Sequence, residues 1–498
     1  MQEKYDYIVI GGGVVGAMIA RWLSRYEGRL LLIEKEADIG MGCSSANTAI
    51  VHAGYDPLPG SLKALMNVRA NPMWDQLAGE LNFPFERRGD YVVAVGEEEL
   101  PLVEKLMQQG IRNGVPGMTM IDGPEMRSRE RDINPETSGA LWATTGGICD
   151  PFQVTVAAAE NAVNNGATVL LNTEFQDFIW EGNRVIGVKT NRGEFFARWV
   201  INSAGIYSDN VMHKAGVRPE FFIKARKGEY FIFDRAEVQI HNVLFPVPSS
   251  RGKGILVTGT LHENTIVGPN ANVIDDKEDT SLTKEGMDEL IDGAKKLIPN
   301  LNLRASIANF VGLRPMGNGP AWTPGLNYNN DYVIEIPSNV QGFVNLGGIE
   351  SPGLTSAPAI AEMVVDLLKD AGENLVAKKD WDPIRLARPR YAHMTHQERR
   401  LLCDVDPSYG RVICRCENVT EGEIIAEVHA PIPAQTYDAI KRRTWLGTGR
   451  CQAGFDMTRV VAILARELGV SPFEITKRGK GSEYLYRKTK DTEVTDVN

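Results

Sequence analysis

Long uncharged apolar runs are missing from this 498-residue sequence. No stretch reaches the roughly 18 or more residues that a bilayer-crossing helix needs, so no membrane span is expected. Basic charge is also short. The formal net charge of -10 argues against nucleic acid as a bulk partner, because phosphate backbones are held by clustered Lys and Arg. Cysteine is scarce. Six in so long a chain do not build a disulfide framework, and a reducing cytoplasmic setting is the expectation. The opening "MQEKYDY" has no basic region before an apolar one, and the apolar run after it is broken by "GGG" and Arg21, so it does not read as a signal peptide. Repeats and low-complexity tracts do not stand out, and the length predicts roughly two to four domains. One basic run, "RLARPRYAHMTHQERR" from Arg385 to Arg400, reads as a solvated linker docking on acidic surface.

What is present begins with "YDYIVIGGGVVGAMIARWLSRYEGRLLLIEKE", a strand, a glycine turn, a helix and a second strand. Tyr7 to Ile10 form the first strand, Val15, Ile19 and Leu23 recur at helical spacing, and Gly28 is placed as the helix C-cap. Gly11, Gly13 and Gly16 supply G-x-G-x-x-G: a tight turn, close backbone approach to a pyrophosphate, and close packing of helix on strand. The helix N-terminus offers free N–H groups and a favourable dipole to phosphate. Glu34 ends the second strand at the position of the carboxylate that binds a ribose hydroxyl. Together these predict a dinucleotide site and disfavour NADP.

Two further segments favour FAD over NAD. "ATVLLNTEFQDFIWEGNRVIGVKTNRGEFFARWVINSAG" reads as a strand, a hairpin over "EGN" and a strand ending on Ala204 and Gly205. It resembles the second FAD-contacting region of glutathione-reductase-like flavoproteins, in which backbone near Phe175 meets the adenine. "GFVNLGGIESPGLTSAPAIAEMVVDLL" reads as a strand, a glycine turn and a helix striped by Ile360, Met363, Val364 and Leu367, with Pro358 in its first turn. Such a helix N-terminus stabilises negative charge on a reduced flavin.

The stretches "CSSANTAIVHAGYD", "VGLRPMG" and "GIESPGLTSAPAIA" resemble the D-amino-acid-oxidase-like (DAO) branch of FAD oxidoreductases, above all bacterial glycerol-3-phosphate oxidases and dehydrogenases, with L-2-hydroxyglutarate dehydrogenases as near cousins. The resemblance runs over about residues 1 to 375. It implies FAD contacts at Gly11, Gly13, Gly16, Glu34, Lys35, Ser44, Ser45, Thr48, Phe175, Ala204, Gly205, Gly348, Gly353, Leu354 and Thr355. It implies that His52 lies beside the flavin ring as the base for a secondary alcohol, a role that suits a group titrating near neutrality. Arg314 matches the family's anion-binding arginine, whose planar fork suits bidentate capture. Lys253 is a second cationic candidate with Arg251 as its rival, and Ser351 a hydrogen-bond donor near the substrate. "TGTLHEN" departs from the family's "TPTVHGN", and Glu263 there adds negative charge to a loop read as bordering the site.

Cys414 and Cys416 lie one residue apart and Cys451 follows, three of the four ligands that an iron-sulfur centre normally takes. Residues 410 to 480 resemble the [2Fe-2S] domain of bacterioferritin-associated ferredoxin (BFD). In that pattern the fourth cysteine falls at Asp456, or in a variant at Leu446. Carboxylate is a harder donor than thiolate, so the expectation is a retained fold with the cluster absent or substoichiometric, Asp456 being the candidate fourth ligand. Thr420 and Glu423 form a capping box before one helix, and Val460, Ile463 and Leu464 stripe another.

The fold class expected is α/β: a discontinuous glutathione-reductase-like FAD domain (1–90, 145–220, 300–372), an antiparallel-sheet substrate domain (91–144, 221–299), a linker (373–409), a small helical BFD-like domain (410–480) and a frayed tail (481–498). The expected activity is oxidation of a small anionic secondary alcohol, first of all sn-glycerol 3-phosphate to dihydroxyacetone phosphate. The alternatives are a 2-hydroxyacid or opine dehydrogenase, or an electron-transfer subunit of a larger complex. The electron acceptor, whether oxygen, quinone or a partner flavoprotein, and the oligomeric state stay open.

Overall fold

Four consecutive apolar or aromatic residues close the strand Lys4–Ile10, and all four are buried, as a strand covered on both faces requires. The computed structural model describes residues 4–236, 238–248, 254–318, 330–488 and 490. The chain divides into two units, one of Met1–Lys35 with Ile39–Leu386, the other of Glu36–Asp38 with Ala387–Asn498.

In the first unit Lys4–Ile10 runs parallel to Leu30–Ile33 on one side and to Gly193–Asn202 on the other. Thr168–Leu170 and Phe343–Gly347 extend the parallel part, and Phe175–Glu181 with Arg184–Thr190 adds an antiparallel edge to an eight-stranded sheet. The helix Val14–Leu23 packs against Pro151–Asn164 and Gly353–Asp370. It is therefore buried nearly all round rather than along the stripe of Val15, Ile19 and Leu23. Arg21 is enclosed within it and pairs with Glu80 at 2.5 Å. Two local expectations are corrected. Ser24 caps the helix, and Gly28 (φ +127°) instead turns the chain into Leu30–Ile33. The helix Gly353–Asp370 starts early enough that Pro358 lies in its second turn, where one backbone donor is lost.

A second, nine-stranded sheet follows the order Asn272–Ile274, Ile223–Phe233, Thr265–Val267, Val257–Gly259, Val243–Pro246, Asp90–Val95, Thr137–Ala143 and Met118–Asp122, with Ser306–Gly317 beside Ile223–Phe233. Its pairing is antiparallel except where Val243–Pro246 meets Asp90–Val95. The helix Lys284–Leu297 buries Leu290, Ala294 and Leu297 in the same core as Val93, Leu244 and Val257. Ser306–Gly317 is bonded to Ile223–Phe233 along its whole length. Residues 306–317 therefore extend this nine-stranded sheet, although the sequence places them with the FAD segments; long-range pairing, not local pattern, decides this.

In the second unit the ladder Val412–Cys414 with Val419–Thr420 leads into helices Glu421–Val428, Tyr437–Thr444 and Met457–Leu468. The Thr420–Glu423 capping box forms as expected, and Val460, Ile463 and Leu464 are buried. Three arginines of the basic run are paired with carboxylates. Arg388 pairs with Glu427 and Arg390 with Glu423, while in the first unit Arg385 pairs with buried Glu160 at 2.9 Å. Part of the expected linker is helical, His396–Val405, capped by Thr395. Among the described residues no helix is long and apolar enough to cross a membrane.

Candidate active site

The glycine turn is shaped by close approach. Gly11 adopts φ +102°, and a Cβ there would lie 2.6 Å from the Ser203 carbonyl oxygen. A Cβ on Gly16 would lie 2.0 Å from the Gly11 carbonyl oxygen, so this glycine lets the helix sit on the strand. Gly13 differs. Its Cβ would meet only the Ser44 hydroxyl, at 3.3 Å, which leaves the side facing the helix N-terminus open to a phosphate. Ser44 Oγ accepts from the Val14 N–H at 2.9 Å, and Glu34 Oε2 accepts from the Gly12 N–H at 2.6 Å. This open N-terminus with an acidic residue at the neighbouring strand end fits a dinucleotide.

The other expected cofactor residues fall into several groups. Ser45 donates to the Met41 and Gly42 carbonyls, and Thr48 is half-buried in the same loop. Lys35 lies 4.1 Å from the Tyr207 ring and 3.8 Å from Glu278. Phe175 opens its strand 4.8 Å from Phe178. The strand Gly193–Asn202 ends before Ala204 and Gly205, the two residues expected to close it; they follow Ser203, beside the first strand's C-terminal end, and Gly205 begins a short helical turn. Gly348 turns at φ +66°, and Gly353 and Leu354 open the long helix. Thr355 is fully buried, and its hydroxyl accepts from the His52 N–H at 2.9 Å. That hydroxyl holds the histidine loop.

His52 follows the short strand Ile50–Val51. Its carbonyl accepts from Asn67 and Asn71, at 2.9 and 3.0 Å, so the backbone is tied on both sides. Its Nε2 lies 3.5 Å from the Ser351 hydroxyl, and its ring centroid 5.9 Å from that of Phe245. The structure thus brings His52 and Ser351 together across 299 residues of sequence. Lys253 and its rival Arg251 lie outside the described residues. Glu263 sits at the exposed tip of the hairpin joining Val257–Gly259 to Thr265–Val267.

Arg314 faces Arg226 across the two long strands. Its Nε donates to the Arg226 carbonyl at 3.3 Å and its Nη2 to the Asn270 carbonyl at 2.7 Å. Backbone carbonyls thus engage two of the five guanidinium N–H groups and fix the cation, and three N–H groups remain for an anion.

Sequence reasoning missed the group around Glu350. This carboxylate is buried and meets Lys63 at 2.9 Å, Arg226 at 3.3 Å and the Asn330 amide at 2.8 Å. Burial alone would raise its pKa, but Lys63, Arg226 and Arg314 outweigh that and hold it below the ordinary carboxylate value. Nearby Asp331 accepts the Leu62, Lys63 and Tyr332 N–H groups. A cavity of about 250 Å³ has Lys224, Arg226 and Asn330 in its wall. Charged residues inside the glycine- and apolar-rich "GIESPG" and "SLKAL" were the available signal. Because the folded pKa of Glu350 is depressed, its ion pairs contribute stability above the unfolded carboxylate pKa and lose it as pH falls through the folded value. Glu350→Gln should melt below wild type at neutral pH, and the two melting curves should converge below about pH 4. A gap that stays constant through the acid range would contradict this.

In the second unit Cys414 is buried, while Cys416 and Cys451 are half-buried and all three are unbridged. The Cys451 thiol bonds to Cys416, and Cys414 lies against Asp456. Burial pushes the Cys414 thiol up to about 11, so any metal taken up there must displace its proton.

Comparison with known proteins agrees with this geometry. Residues 412–465 match the family described as "BFD-like [2Fe-2S] binding domain". The chain is 40% identical over 489 residues to glycerol 3-phosphate dehydrogenase of Caloramator mitchellensis, covering 98% of this chain and 99% of that protein. It is 31% identical to glycerol 3-phosphate oxidase of Mycoplasma pneumoniae, over 76% of this chain and 98% of that one. The solved FAD-bound L-alpha-glycerophosphate oxidase from Mycoplasma pneumoniae superposes with a TM-score of 0.72 over 78% of this chain and 100% of that one, at 31% identity. Residues 6–367 match the DAO family described as "FAD dependent oxidoreductase", and the chain belongs to that family, an FAD-dependent oxidoreductase with a C-terminal BFD-like domain.

Proposed function

We propose that this enzyme oxidises sn-glycerol 3-phosphate to dihydroxyacetone phosphate. The observation that carries the reading is the gathering of Lys63, Arg226 and Arg314 around the single carboxylate of Glu350, next in sequence to Ser351. Even with Asp331, which accepts backbone N–H groups, counted beside Glu350, three cations outnumber two carboxylates. Such an excess favours a phosphate dianion over a monoanionic carboxylate. The two glycerol 3-phosphate relatives point to the same substrate.

Bound FAD supplies the two-electron acceptor. It would be held by the glycine turn at Gly11, Gly13 and Gly16, by Glu34, and by the helix start at Gly353 and Leu354. In this reading His52 Nε2 accepts the proton of the substrate's secondary hydroxyl and Ser351, 3.5 Å from it, orients that hydroxyl. The Thr355, Asn67 and Asn71 bonds hold the His52 backbone during this transfer. Arg314, pinned by two carbonyls, anchors the anionic end.

The test is anaerobic reduction of the bound flavin by a panel of sn-glycerol 3-phosphate, L-2-hydroxyglutarate, lactate and an opine. The first should react at least ~100-fold faster in kcat/KM than any other. Comparable reduction by a hydroxyacid or opine would overturn the substrate, and no reduction by any of them would overturn the enzymatic reading. Arg314→Lys keeps the charge but loses the two carbonyl bonds. It should raise KM by about tenfold or more with a smaller change in kcat. An unchanged KM would remove Arg314 from the anion site.

A further inference from the structure

Asp456 stands where the BFD pattern has its fourth cysteine, and its surroundings are those of a ligand. It is 1% exposed. Its Oδ1 accepts from the Tyr437 hydroxyl at 2.5 Å, while Oδ2 is enclosed without a hydrogen-bond partner. A buried carboxylate oxygen in that condition is unfavourable unless something cationic fills its remaining valence. Backbone N–H groups also meet the sulfurs. Cys414 accepts the backbone N–H groups of Gly447 and Glu417, and Cys451 accepts that of Ala453.

The four side chains fall into contacting pairs, Cys451 with Cys416 and Cys414 with Asp456. Among the described residues no group of three or more His, Cys, Asp or Glu side chains is gathered for a single ion. Four donors shared between two irons meet a [2Fe-2S] cluster's demand. The loop that carries Cys451 and Asp456 is sharply bent. Trp445, Gln452 and Ala453, none of them glycine, have φ of +64°, +45° and +71°. A Cβ on Gly449 would lie 2.5 Å from Cys416 Cβ, so the loop wraps this cysteine as closely as backbone allows.

We propose that Cys414, Cys416, Cys451 and Asp456 together ligate a [2Fe-2S] cluster through three thiolates and one carboxylate oxygen. This reverses the expectation, drawn from donor softness alone, of an absent or substoichiometric cluster. The hardness of carboxylate is outweighed by an oxygen already desolvated and left without a partner. The three thiols give up their protons to solvent as the cluster binds, and no electron is transferred in the step. The inference stands independently of the substrate.

The full-length enzyme, purified anaerobically, should carry about two irons and two sulfides per chain. Its dithionite-reduced form should give a [2Fe-2S] electron paramagnetic resonance signal. Asp456→Asn keeps the Tyr437 hydrogen bond but removes the charge, and should lose most of the iron while far-UV circular dichroism and flavin content stay at wild-type values. Asp456→Cys should retain the iron with shifted g values and reduction potential. Asp456→Asn with wild-type iron and signal would remove Asp456 from the ligand set. Wild type that stays iron-free even after iron and sulfide reconstitution, whether or not Asp456→Cys takes up iron, would overturn the proposal.

Discussion

Gly13→Leu should yield a folded protein that is colourless. A side chain at this position is tolerated by the protein itself, since its Cβ would meet only Ser44 Oγ at 3.3 Å and the backbone φ is -72°. What a leucine fills is the space in front of the helix N-terminus, where the pyrophosphate must approach the backbone. Flavin content per chain, read from absorbance after denaturation, should fall by about 100-fold or more, with secondary structure and solubility unchanged. Gly16→Leu is the contrasting variant. Its Cβ would overlap the Gly11 carbonyl oxygen at 2.0 Å, so it should damage folding as well as binding. Stoichiometric flavin in Gly13→Leu would sink the assignment of this turn to the cofactor.

The second large effect concerns His52. Its backbone is held by Thr355, Asn67 and Asn71, and none of these bonds uses the imidazole. His52→Ala should therefore leave the loop and the flavin in place and remove only the proton acceptor. Stopped-flow reduction by sn-glycerol 3-phosphate should slow by roughly 10² to 10⁴-fold, the range of a lost general base. Added imidazole should restore part of the rate, a result that damaged packing would not give. Reduction at the wild-type rate with full flavin content would place the base elsewhere.

Several parts of this molecule were legible from neighbouring residues alone. The glycine turn, the Thr420–Glu423 capping box and the buried Val460, Ile463 and Leu464 depend on contacts within a few residues, so spacing and residue type were enough. The family resemblance implied His52 beside the flavin and Ser351 near the substrate as separate residues, and the fold brings their side chains within 3.5 Å. Other readings failed because local pattern was silent or misleading. Residues 306–317 were grouped with the FAD segments, but their hydrogen bonds go to Ile223–Phe233. Gly28 looked like a helix cap and turns a different corner. Arg21 was read only as a break in an apolar run, and nothing local foretold that it would be fully buried and paired with Glu80.

By itself the sequence determined the dinucleotide turn, the order of the segments and the three cysteines with an aspartate in the fourth place, since each is a property of short stretches. Only the tertiary structure decided what those residues meet. It set Lys63, Arg226 and Glu350 together from segments more than 100 residues apart, engaged the Arg314 fork with carbonyls, and enclosed Asp456 Oδ2 without a partner. Charge balance and desolvation depend on distances between groups from separate segments, and those distances are fixed only when sheets and helices pack.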